Sequence, residues 1–409
     1  MATFCTLGQN PRGRWRARSR HKGGRYQAPR IFKNKRRAIA WLAEDEKLIE
    51  LDAWTPPKTR NEDATPVESP TVAEWLTTYH ESLRTQLKPL KESTLQNYER
   101  VTSNRITSPL PPGDQDLDII HLAGLKITEV TIDDIHRWWE AVNRTYPSKM
   151  INQQAYKRLK AAFARAVERE IIDKNPVQIK AATAKVQTKE KYLPSDAELK
   201  AILNAMQPRY KVLTSLVLFH GLRIGEAIAL ERHHLIIDKT PEGVRVFARV
   251  EQNAQRLYET IDGKAHTIMH WQSPKTKAGY RDVPIMARHV PLYLQHLEDY
   301  PPVACEVAHE GGKKTIYPPT VTERGKPIVD TSYRSRLSTA ETKAGVTTEI
   351  DPHCGRNWLI TRLAEQGAHL KEIGKLLGQT DLNTITQVYM KVRAGRTDTL
   401  MAKVDATLT

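Results

Sequence analysis

A multidomain chain, mainly α with small β-sheets, is predicted by three observations. Its 409 residues exceed what a single core usually organises. Residues 56–70, rich in Pro, Thr and acidic side chains, and the lysine-bearing stretch 179–191 interrupt the apolar periodicity. Elsewhere helical spacing of apolar residues dominates, and strand-like runs are confined to the N-terminus and to about 233–285. The expected division is a small sheet-plus-helix domain at 1–55, a linker at 56–70, a helical domain at 71–178, a linker at 179–191 and a mixed α/β domain at 192–409.

The first domain has twelve Lys or Arg before its first acid, Glu44. Arg14, Arg16, Arg18 and Arg20 alternate with Trp15, Ala17 and Ser19, so a strand there presents one basic face and one packing face. Gly23-Gly24 turns that strand into a second run through Arg25, Tyr26 and Ile31, and Asn34 is placed to cap a helix carrying Ile39, Trp41, Leu42 and Ile49. Its aromatic and apolar content favours a small fold over a disordered basic tail.

The helical domain opens at the capping box Thr71-Val72-Ala73-Glu74. Helical patterns follow at about 72–86, 93–106, 132–143 and 148–169, with Asn175-Pro176 closing the set. Lys88, Lys91, Arg100, Arg105, Lys157, Arg158 and Lys160 are candidate phosphate contacts within a surface that is also simply solvated. The third domain is expected to hold helices near 195–206 and 209–220, a small sheet between about 233 and 285, a long loop or insertion at 300–327, and helices to Tyr389. A tail from 394 to 409 carries Leu400 and Val404 at helical spacing.

A formal charge of +16 and a pI near 9.6 point to a polyanionic partner, most simply nucleic acid. Cys5, Cys305 and Cys354 are too scattered for a disulfide framework or a metal-ligand spacing. Neither a signal core nor a membrane-length apolar run is present, so a soluble protein without metal or other cofactor is expected.

The chemistry-bearing residues stand in the C-terminal half. Arg223 follows Phe219-His220-Gly221-Leu222, where an apolar run stops at a glycine and a new helical pattern begins, with Glu226 three residues on as its local ion-pair partner. Lys275 lies in Ser273-Pro274-Lys275-Thr276-Lys277-Ala278-Gly279-Tyr280-Arg281-Asp282-Val283-Pro284, read as a β-hairpin, and Lys277 is the second choice. His353 and Arg356 share a helix face after Pro352. Leu376-Leu377-Gly378-Gln379 precedes Tyr389, which also shares a helical stripe with Leu382 and Ile385.

A phosphodiester under attack gains charge on its nonbridging oxygens, and arginine forks stabilise that charge bidentately. Arg223 and Arg356 are the candidate clamp. A tyrosine with an ordinary pKa near ~10 is a weak nucleophile that nearby cations favour in its ionised form. Tyr389 is then the candidate nucleophile, with Lys275 or His353 supplying a proton to the leaving oxygen.

Together these strings resemble the conserved boxes of the tyrosine recombinases, the phage integrase family. The resemblance implies a tyrosine-recombinase catalytic domain at 192–409, a core-binding helical domain and an N-terminal arm-binding domain. Departures from the pattern are Gly355 in place of a larger apolar residue, Asn357 for a common histidine, and Gln379 where histidine or tryptophan is usual. Glutamine donates a hydrogen bond but cannot shuttle a proton near neutral pH.

The implied activity is site-specific integration of a phage or mobile element through a 3′-phosphotyrosyl intermediate, without cofactor. The implied partners are double-stranded attachment sites of core and arm type, a homotetramer on DNA that exchanges C-terminal tails, an excision-directing factor and a DNA-bending host protein. The implied location is the nucleoid in a bacterial cytoplasm. The same chemistry is compatible with a dimer-resolving recombinase or a type IB topoisomerase-like enzyme, and the basic surface alone with a noncatalytic DNA-binding regulator.

Overall fold

The computed structural model describes residues 6–9, 15–29, 31–32, 35–57, 69–109, 117–186, 192–310, 312–394 and 397–407. Arg14, Asn34 and most of the first linker lie outside the described residues. The chain divides into one unit of residues 1–79 and 102–180 and another of 80–101 and 181–409.

In the first unit, β1 (Thr6–Gln9), β2 (Trp15–His21) and β3 (Gly24–Gln27) form an antiparallel sheet in that order. Gly23, at φ +81°, makes the β2–β3 turn that a side chain would strain. The alternation along β2 does what its spacing predicts: Ala17 and Ser19 are buried while Arg16, Arg18 and Arg20 are exposed. Helix α1 (Lys35–Glu50) closes the buried face, where Ala17, Ala28, Phe32, Ala38 and Leu42 form a small core.

The helical part of this unit starts with α2 (Val72–Thr85), which extends past the division, and includes α4 (Leu117–Gly124), α5 (Ile132–Thr145) and α6 (Lys149–Glu168). Thr71 and Glu74 cap α2 reciprocally at 3.2 and 2.8 Å, and Thr131 with Asp134 does the same for α5. Buried indoles tie the helices together through backbone carbonyls: Trp75 Nε1 donates to Ala162 O at 2.8 Å and Trp138 Nε1 to Arg105 O at 2.9 Å. Arg105 is itself buried at 9% exposure and lies over the Tyr146 ring, so it serves the packing of this unit rather than a free surface.

The second unit takes α3 (Glu92–Thr102) and then α7 (Asp196–Ala205), α8 (Lys211–Leu218) and α9 (Ile224–Ile228). A reciprocal box of Ser195 and Glu198 starts α7. Strands β4 (Leu235–Thr240), β5 (Gly243–Val250) and β8 (Arg281–Pro284) form one antiparallel sheet. Strands β6 (Asn253–Ile261), β7 (Lys264–Gln272), β9 (Cys305–His309) and β10 (Gly312–Ile316) form another, in the order β10-β9-β7-β6.

Two expectations are corrected by this topology. The runs on either side of Lys275 do not form a hairpin, because β7 pairs with β6 and β9 while β8 pairs with β5. The 300–327 segment is not simply a loop, since β9 and β10 within it complete the second sheet and Val307 and Ile316 enter the core. Helices α10 (Val290–Asp299), α11 (Asp330–Lys343), α12 (Cys354–Glu365), α13 (Leu370–Leu377), α14 (Asn383–Ala394) and α15 (Thr397–Thr407) finish the chain.

Candidate active site

The α8–α9 corner sets the first cation. Gly221 turns at φ +66°, and a Cβ there would lie 2.7 Å from a Leu377 methyl, so both conformation and space demand glycine. Arg223 follows in extended conformation as the residue before α9. Its backbone N–H donates to Glu226 Oε2 at 2.9 Å and its Nη1 to Glu226 Oε1 at 2.7 Å.

Glu226 is only 5% exposed and takes a second guanidinium, Arg281, whose Nη2 lies 2.8 Å from Oε2 and whose Nη1 lies 3.3 Å from Oε1. Burial alone would push this carboxyl up, but Arg281 and then Arg223 hold it below the usual carboxylate range. One carboxylate therefore braces two arginines from different elements. Arg281 also donates from Nε to Leu376 O at 2.9 Å, which joins β8 to the end of α13.

Arg356, 2% exposed in the first turn of α12, donates to Gly221 O at 2.8 Å and to Leu377 O at 2.6 Å. Burial and the like charge of Arg223 pull it down to about 9, so it remains protonated at neutral pH. Gly355 beside it explains the departure from a larger residue: a Cβ would stand 2.4 Å from Leu218 Cα and 2.5 Å from Val217 O, where α12 crosses α8.

The α13 terminus completes this network. Gly378 adopts φ +62°, and a Cβ would fall 2.7 Å from Ala278 O and 2.9 Å from Arg281 Nη1. Two buried polar atoms here, Arg356 Nε and Gln379 Oε1, have no protein partner among the described residues. A donor and an acceptor left unpaired beside a cationic cluster are available to a ligand.

The structure thus brings Arg223, Glu226, Arg356 and the 376–379 segment together. Arg281, which the sequence reading passes over, is the link between them. Nothing in its local string marks it, because its partner lies 55 residues away.

The other candidates stand around this network. His353 is exposed at the N-terminus of α12, its N–H held by Asp351 Oδ1 at 2.7 Å. Tyr389 is half-buried on α14, which packs against α12 and α13. Lys275 and Lys277 are exposed between β7 and β8 and, among the described residues, take no part in the network. Arg16, Arg18 and Arg20 lie in the other unit, on the open face of its sheet.

Known proteins share both the sequence pattern and the fold. The model described as "Phage integrase family" matches residues 193–396, and "Phage integrase, N-terminal domain" matches residues 3–51. The integrase of Mycobacterium phage L5 is 26% identical over 361 residues, spanning 88% of this chain and 85% of its own. In fold, the chain resembles the Tn1549 transposon integrase solved with transposon right end DNA, with a TM-score of 0.61 at 19% identity over 81% of this chain and 100% of that one. It also resembles a lambda integrase dimer bound to a core site, with a TM-score of 0.52 at 18% identity over 94% of each chain. The boxes, the arginine network they build and these likenesses place the chain in the phage integrase family of tyrosine recombinases.

Proposed function

We propose that this site-specific recombinase cleaves and rejoins DNA by direct attack of Tyr389 on a phosphodiester, with Arg223 and Arg356 as the phosphate clamp. The observation that carries the reading is the pair of braced guanidiniums, one anchored on the shared carboxylate Glu226 and the other on Gly221 O and Leu377 O. Anchoring leaves each fork little to reorganise as charge develops, which is the condition for preferential stabilisation of the transition state. Among the described residues the buried Nε of Arg356 has no protein partner, which leaves it a donor for phosphate.

Attack forms a bond from the Tyr389 oxygen to phosphorus, with the phenolic proton passing to solvent, and breaks the bond to the 5′-oxygen, leaving a 3′-phosphotyrosyl link. Lys275 or His353 donates the proton that the leaving oxygen needs. A partner strand's 5′-hydroxyl then reverses the step, so the bond energy is conserved and no nucleotide is consumed. Gln379 offers a hydrogen bond to a phosphate oxygen in this scheme and no proton.

Assembly follows the same reading. Residues 1–55, including Arg16, Arg18, Arg20 and Arg14, bind arm-type sites, residues 71–178 grip the core site, and residues 192–409 perform cleavage. A lambda integrase tetramer bound to a Holliday junction, similar in fold here with a TM-score of 0.51, supports a tetramer on DNA for this chain. An excision-directing factor and a DNA-bending host protein complete the set, acting in the cytoplasm of the host.

The test uses nicked suicide duplexes tiled across DNA flanking the gene, with wild-type protein and Tyr389→Phe resolved on denaturing gels. A covalent adduct with wild type that the variant cannot form is expected. An adduct that survives in Tyr389→Phe removes Tyr389 as nucleophile.

A further inference from the structure

His220 is buried at 2% exposure, immediately before the corner glycine whose carbonyl holds Arg356. Both of its ring nitrogens are engaged by backbone. Nδ1 lies 2.9 Å from Ser215 O, in the last turn of α8, and Nε2 accepts the N–H of Met286 at 3.0 Å, two residues past β8. A carbonyl can only accept and an amide N–H can only donate, so these partners select the neutral tautomer protonated at Nδ1.

Around the ring, Ser215 Oγ lies 3.1 Å from His289 Nδ1 and accepts from the Tyr293 hydroxyl at 3.3 Å. His289 and Tyr293 also pack edge-on to His220 at centroid distances of 5.4 and 6.3 Å. The ring is therefore clamped in orientation as well as in protonation.

We propose that His220 is a positioning residue for strand cleavage, a neutral bridge that ties the 219–223 corner to the exit of β8 and so fixes Gly221 O, the anchor of Arg356. The two segments it joins are those that carry Arg223 and Arg281, the two cations on Glu226. This rests on the reading of Arg356 as a phosphate clamp. Burial holds His220 down to about 4, which keeps the Nε2 acceptor available throughout the neutral range.

The test measures single-turnover adduct formation on a nicked duplex that wild-type protein cleaves, as a function of protein concentration. His220→Phe keeps a planar ring without either nitrogen, and His220→Gln restores an acceptor toward Met286 N. Met286→Pro removes the N–H itself at a position whose φ of −55° suits proline, with Met286→Leu as the control that keeps it.

Loss of alignment at the clamp predicts a saturating rate lowered about tenfold or more in His220→Phe and Met286→Pro, with half-saturation within about twofold of wild type. His220→Gln and Met286→Leu are expected to recover most of that rate. Rates within about twofold of wild type in both altered proteins overturn the proposal, as does a parallel fall in binding and rate, which marks a purely structural residue. Should His220→Phe not fold, Met286→Pro decides alone. An Arg356→Gln protein that forms adduct at the wild-type rate defeats the reading of the clamp instead, and is scored separately from these rates.

Discussion

Glu226 is the residue on which two cations depend, and its replacement separates charge from shape. Glu226→Gln keeps the size but leaves Arg223 and the buried Arg281 without a counter-charge, and breaking such a buried pair typically costs about 3–5 kcal/mol. The expected outcome is a lower urea midpoint together with adduct formation slowed about a hundredfold; an unchanged rate means that Glu226 does not organise the clamp. Gly355→Ala tests the helix crossing. Helix propensity alone predicts a gain of about 1 kcal/mol, but the Cβ overlap with Leu218 predicts a net loss of about 1–3 kcal/mol. A rise in the urea midpoint contradicts the crossing geometry.

His220 gives a pH dependence with a definite sign. Its folded pKa, about 4, lies below the ordinary 6.5, so the unfolded chain binds the proton more readily. The stability this provides is complete above about pH 6.5 and is lost as pH falls toward about 4, a change of roughly 3 kcal/mol. His289, displaced downward by burial and by Arg288, adds in the same direction. Urea midpoints across that window are expected to fall more steeply for wild type than for His220→Phe, and parallel slopes count against the assignment.

Among the elements, β6 is the outer strand of its sheet, and an unpaired strand edge is a site for stray pairing. The side-chain amide of Gln96 on α3 covers part of that edge as a strand would, donating to Tyr258 O at 2.9 Å and accepting from Tyr258 N at 3.0 Å. Gln96→Ala is expected to speed hydrogen exchange at the Tyr258 amide about fivefold, since one such bond contributes about 1 kcal/mol; unchanged exchange leaves the edge protected by something else. The strands around Lys275 show why element existence was readable and pairing was not. Short extended runs are marked locally on both sides of Lys275, but the partners of β7 and β8 are chosen by register with β6, β9 and β5, which involves residues far along the chain. The helical pattern at 93–106 corresponds to α3 and the π-helical turn Ser103–Thr107 that ends it, whereas the eight-residue α4 is too short to show a long helical stripe.

For the whole molecule, a charge of +16 implies DNA affinity that weakens steeply with salt. Replacing Arg16, Arg18 and Arg20 together by alanine is expected to reduce the slope of log affinity against log salt on duplex DNA by about 0.9 for each phosphate no longer neutralised. An unchanged slope removes the open face of β2 from the interface. Caps, periodicity and glycine corners are short-range signals, so the basic face of β2, the capped helices and the order of the candidate residues were legible in the residues alone. Folding was needed to reveal that Arg281 shares Glu226 with Arg223, that Arg356 hangs between Gly221 O and Leu377 O, and that Lys275 sits in no hairpin. Those arrangements depend on contacts between segments distant in sequence, and a buried charge reveals its partner only when the chain has closed around it.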